Sequence, residues 1–88
     1  MKFVALIKFK QKMTKELIAR TIKDNEYDEK HGVKILGIYW TLGRYDSVAI
    51  IDVPDEGAAM KISIRRGDIV NIETMVAIPV EEARKLVE

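Results

Sequence analysis

Four short segments of this chain are apolar on both of their alternating faces, so the fold must cover twice the surface that a half-buried strand presents. In residues 3–9, Phe3, Ala5, Ile7 and Phe9 oppose Val4 and Leu6; in residues 33–42, Leu36, Ile38, Trp40 and Leu42 oppose Ile35, Gly37 and Tyr39. In residues 47–53, Val48 and Ile50 oppose Ala49, Ile51 and Val53. In residues 69–78, Val70, Ile72, Val76 and Ile78 oppose Ile69, Met75 and Ala77. Their length and their β-branched and aromatic content predict strands. An antiparallel sheet with helices on one side ordinarily alternates apolar with polar, because its other side is wet. These strands do not alternate in that way.

Two helices fit between the strands. Thr14 predicts an N-cap, with Glu16 in the first turn and an apolar stripe through Leu17, Ile18 and Ile22. The stripe fades into Asn25, Glu26, Asp28 and Glu29, and Gly32 predicts the stop after Lys30 and His31. Pro54 ends the third strand, Asp55 predicts the second N-cap, and Ala58, Ala59 and Ile62 mark a short helix that stops at Gly67. Ile62 and Ile64 also alternate as a strand would, but the bracket from Asp55 to Gly67 favours a helix. Arg65 and Arg66, like Lys30 and His31, read as cations suited to a helix C-terminus, with each glycine as a left-handed cap. Pro79 and the residues after it form a short helix or a frayed tail. The order is β-α-β twice within one domain spanning residues 1–88, an α+β chain on the split β-α-β or ferredoxin-like plan with an antiparallel sheet.

Two helices cover only one face of such a sheet. The economical cover for the second is the same face of another copy, giving a homodimer packed sheet to sheet; a different protein or a lipid are the other options. An uncovered face would exceed the apolar patch of a few hundred Å² that a monomer tolerates.

Composition narrows the chemistry. With no Cys there is no disulfide, thiol nucleophile or thiolate metal site, which fits a cytoplasmic protein. A net charge of +1 with 33% charged residues of both signs argues against nucleic acid as the partner. The cluster Lys8, Lys10, Lys12 and Lys15 reads as a solvated face. The N-terminal apolar run is broken by Lys8, so neither a signal peptide nor a membrane span is expected. Ile, Lys and Glu are frequent, while Gln11 is the sole Gln and Asn25 and Asn71 the sole Asn, a bias seen in proteins from hot environments. His31 is the only His, which rules out an ordinary multi-His metal site. Gly37 and Gly43 lack the pattern of a phosphate-cradling loop, and no cofactor is expected.

The string Tyr39-Trp40-Thr41-Leu42-Gly43-Arg44-Tyr45-Asp46, followed by an apolar strand and Pro54-Asp55, resembles the GYD-domain family, over roughly residues 30 to 78. The resemblance implies a dimeric α+β barrel of the ferredoxin-like type, in agreement with the argument from strand faces. Gly43, Arg44, Tyr45 and Asp46 have two readings. One is turn chemistry, with positive φ at Gly43 and Asp46 bonding nearby amides. The other is a pocket rim where Arg44 binds a carboxylate or phosphate and Tyr45 and Asp46 orient a polar group. Tyr39 and Trp40 are successive strand residues, so only one of them faces any given pocket. His31 is a helix-terminal residue or a general base. The candidate ligand residues are therefore Arg44, Tyr45, Asp46, Tyr39 and His31. Three functions remain open: a dimeric module binding or sensing a small anionic metabolite; a cofactor-independent enzyme with His31 or Asp46 as base and Arg44 as anion clamp; and a purely assembling protein, without a pocket, that forms higher oligomers.

Overall fold

The computed structural model describes residues 1–88 and runs β1 (Lys2–Phe9), α1 (Lys15–Lys30), β2 (Lys34–Trp40), β3 (Ser47–Asp52), α2 (Glu56–Arg66), β4 (Val70–Ala77) and α3 (Val80–Lys85). The sheet order is β2-β3-β1-β4, and every neighbouring pair is antiparallel. Each long helix therefore carries the chain past one central strand, α1 past β3 and α2 past β1. This is the ferredoxin-like α+β plan that the order of elements predicts.

Pairing fixes which residues share a face. Phe3 lies opposite Ile51 and Val76, Ala5 opposite Ala49 and Thr74, and Ile7 opposite Ser47 and Ile72. Both long helices pack on this face. The other carries Val4, Leu6, Val48, Ile50 and Met75, and no helix of the chain covers it. One expectation needs correction. The alternation of residues 33–42 is not regular: the register slips between Ile35 and Gly37, with Leu36 the extra residue. This bulge puts Ile35, paired with Ile51, on the same face as Ile38, paired with Ala49, and as Trp40. Tyr39, opposite Val48, points to the open face, so Tyr39 and Trp40 divide between the two faces as expected.

The packed core sits under α2: Phe3, Val33, Ile51, Val53 and Ala59 form one buried cluster, flanked by Ile35, Ala58 and Ile62. The Asp55 carboxylate accepts from the Ala58 N–H at 2.9 Å and caps α2, whose residues 61–66 are helical. Gly67 departs from the expected left-handed cap. Its φ is −63°, because the chain continues through another right-handed turn (Gly67 N–H to Ile64 O, 3.3 Å; Ile69 N–H to Arg66 O, 3.1 Å) instead of reversing. Gly32 does adopt the left-handed conformation, at φ 91°.

α1 is capped by Thr14, whose Oγ1 accepts from the Leu17 N–H at 3.2 Å. Arg20 forks onto Asp68 at 2.7 and 2.9 Å and ties α1 to the turn before β4. These hydrogen bonds hold the Asp68 carboxyl below its ordinary range, against an opposing desolvation. The only buried residue of α1 is charged: Asp28, 3% exposed. Its carboxylate receives Arg66 Nη2 at 2.6 Å on one oxygen and Arg65 on the other. Arg65 and Arg66 are thus the struts between α1 and α2, a larger role than helix termination. The tail forms α3, a single short helix with no buried residue.

Removing one member of a buried ion pair strands the others. Asp28→Ala should lower the free energy of unfolding by about 3–5 kcal/mol in urea denaturation. A loss below about 1 kcal/mol, as for a surface pair, would show that the two arginines reach solvent without it.

Candidate functional site

The centre of the helix-covered face is built from small side chains. Ala5 on β1 and Ser47 and Ala49 on β3 are buried, whereas the flanking positions on the edge strands are large: Ile38 and Trp40 on β2, Val70 and Ile72 on β4. α1 lies across this shallow centre. Ile18, Thr21, Ile22 and Asn25 recur at helical spacing and share its inner face, but none fills the hollow. A cavity of about 380 Å³ remains between sheet and helix, within the size range of small-molecule sites. Its walls are chiefly hydrophobic. Phe9 and Trp40 meet edge to face there, with ring centres 5.5 Å apart, and Trp40 is 63% exposed at its edge.

Thr21, Asn25, Ser47 and Arg66 are the polar residues of the wall, and Arg66 is the only charged one. Thr21 donates to the Ile18 carbonyl at 2.8 Å. Arg66 Nη2 donates to Asn25 Oδ1 at 2.9 Å and to Asp28 at 2.6 Å, whereas its Nε is buried without an acceptor. A second hollow of about 40 Å³, the size of a water, adjoins the same guanidinium.

The residues singled out from sequence lie elsewhere and do not converge. Gly43 has φ 104°, which a turn with this path requires. Asp46 is built into the sheet: its carboxylate accepts from Phe9 N–H at 2.8 Å, its N–H donates to Ile7 O at 2.8 Å, and its C=O accepts from Thr41 N–H at 2.9 Å. Lys8 stands 3.9 Å from the same carboxylate. Tyr45 crosses the open face over β1 and donates its hydroxyl to Glu73 on β4. Arg44 is exposed beside it and makes no salt bridge. Tyr39 is 58% exposed on the open face, its ring lying against Gly37, where any Cβ would meet it at 2.9 Å. His31 is at the other end of β2, about 20 Å away along the strand. Its ring stacks on Tyr27 with centres 4.0 Å apart and its Nδ1 is 2.7 Å from the Tyr27 carbonyl. Arg65 covers the same Tyr27 ring at 4.5 Å. The base His31 and the clamp Arg44 therefore share no pocket, and the carboxylate of Asp46 is engaged by the backbone.

Sequence reading missed the cavity residues Thr21, Asn25, Ser47 and Arg66. A signal was present in the inward positions of the predicted central strands, which are Ala5, Ser47 and Ala49, opposite a helix whose apolar stripe stops at Ile22.

A family model described as the GYD domain matches residues 3–87, well beyond the hairpin string. No curated protein and no solved structure matches the chain.

The hydrogen bond to Glu73 holds the Tyr45 hydroxyl above the ordinary tyrosine value of 10.0, desolvation and the Glu73 charge adding to it and Arg44 opposing. A folded-state pKa above the unfolded one gives stability that is intact below pH 10.0 and lost as pH rises through the folded value. In an ultraviolet titration of the three tyrosines, the last to ionise should disappear in Tyr45→Phe, and the alkaline loss of stability should flatten. Loss in that variant of a component that titrates together with the other two would remove the Tyr45–Glu73 bond from solution.

Proposed function

The chain belongs to the GYD domain family, and on that premise we propose that it is a dimeric module that binds a small molecule in the cavity between its sheet and α1. The cavity carries this reading. An apolar hollow of about 380 Å³ with a few convergent polar groups is the usual form of a ligand site. It also weighs against pure assembly, which needs no pocket. The enzyme reading gains no comparable support, since His31 lies at the opposite end of β2 from Arg44 and the Asp46 carboxylate is taken by the Phe9 N–H. Arg44, unpaired on the hairpin that follows Trp40, is available to draw an anionic ligand toward that end.

The dimer rests on the open face. Val4, Leu6, Val48, Ile50, Tyr39 and Met75 form its centre. Four strands about 4.8 Å apart and about 20–27 Å long give a face of about 450 Å², at the limit of what a monomer leaves exposed. Charges sit at its two ends, Lys2, Lys34 and Asp52 at one, Lys8 and Glu73 at the other. Each end holds both signs, and an apolar centre with a charged rim is the anatomy of a protein interface.

Sedimentation equilibrium should give twice the 10.1 kDa chain mass, and Ile50→Lys should give one chain mass with the domain still folded. A native protein that sediments as a monomer at micromolar concentration would overturn the dimer. For the ligand, the single tryptophan is in the cavity wall. Saturable changes in Trp40 emission with small organic acids are expected. A flat response in Trp40, together with no thermal stabilisation, would overturn the cavity as the binding site.

A further inference from the structure

The cavity also specifies the chemistry of what it holds, if it is the binding site proposed above. Its one charged side chain is Arg66, and no carboxylate lines it. The acid that touches Arg66 is already engaged: Asp28 is divided between Arg65 and Arg66. Asp24 does not line the cavity; its Oδ2 is 3.6 Å from Arg20 and has no hydrogen bond. Within the Asp28 cluster two guanidiniums share one carboxylate, so Arg66 is not matched one to one. The Arg66 Nε–H is buried without an acceptor, and the hydrogen bonds to Asn25 and Asp28 use Nη2 alone, so the guanidinium keeps donor capacity. α2 packs beside β4, so Arg66 approaches from the side of the sheet opposite β2. On the β2 side Ile38 and Trp40 offer only apolar surface, with Phe9 against the indole.

We propose that the cavity takes monocarboxylates with an apolar body, the carboxylate pairing with the guanidinium of Arg66 and the body lying between Ile18 and Ile22 of α1 and the Phe9–Trp40 pair. A polyanion finds only one guanidinium there, and a cation finds no counter-charge. Charge assistance makes such a bond about twice as strong as its neutral counterpart, so head-group charge should dominate affinity within a series of one chain length.

Three probes with the same eight-carbon chain separate the possibilities: octanoate, octanamide and octylammonium, each titrated against the 88-residue chain with Trp40 emission as readout. Octanoate should bind about ten-fold more tightly than octanamide, equivalent to about 1.4 kcal/mol, and octylammonium more weakly than either. In Arg66→Gln the preference for the acid over the amide should vanish while octanamide binding persists; Arg65 remains on Asp28 to hold the helices. Equal binding of acid and amide by the native protein would overturn the carboxylate assignment and leave the cavity as a neutral apolar site, with water serving the Arg66 Nε. Tightest binding of octylammonium would overturn it in the opposite direction. Failure of all three to bind would sink both this assignment and the cavity as a ligand site. Because the comparison of the three head groups uses the native chain, it stands even if Arg66→Gln does not fold.

Discussion

The carboxylate of Asp28, on the inner face of α1, is met by two arginines from the end of α2. A charge at 3% exposure is tolerable only when it is paired and hydrogen-bonded. The pairing fixes how the two helices lie against each other. It accounts for the polar second half of α1, which an amphipathic surface helix would not need. It also sets Arg66 in the wall of the cavity, held by Asn25 and Asp28 with one N–H left over. The same contact thus closes the helix layer and gives the hollow its only charge.

The helix-covered face is packed unevenly. Under α2, Ala59 meets Phe3, Ile51 and Val53 in a continuous apolar cluster. Under α1, small residues on the two central strands face a helix that buries no apolar side chain fully. Close packing is the rule in protein interiors, and a hollow of several hundred Å³ forfeits the dispersion contacts of its lining. Here the loss is confined to one half of the layer. The closely packed half supports the domain, and the other leaves apolar side chains facing a hollow.

The residues that signal the family in the sequence serve the frame. Gly43 supplies a left-handed turn, and Asp46 continues the ladder of β1 where β3 has not yet begun, using its side chain for Phe9 and its backbone for Ile7 and Thr41. Tyr45 bridges from the start of β3 to Glu73 across β1. This knits the β2–β3 hairpin to both other strands at the end of the sheet where Trp40 stands. The hairpin string thus matters to the cavity indirectly, by fixing the strand that carries Ile38 and Trp40.

Much of this was legible from residue order. Strand and helix positions, the caps at Thr14 and Asp55, the stop at Gly32, the division of Tyr39 from Trp40 and the two-faced apolar sheet are local properties, set by periodicity and by what glycine, proline and capping side chains permit. The bulge at Leu36, the fate of Gly67 and the partners of Asp28 were not legible. A register slip depends on the neighbouring strand, and an ion pair between residues 28 and 66 depends on where two helices cross. The cavity belongs to the same class. Ala5, Ser47 and Ala49 are unremarkable in their own strands, and they leave a hollow only because pairing brings them side by side beneath a helix that does not fill the gap. The sequence by itself determined the elements and their order, because these follow from interactions within a few residues; the tertiary structure alone decided where space and charge would coincide, because that is set by side chains far apart in the chain.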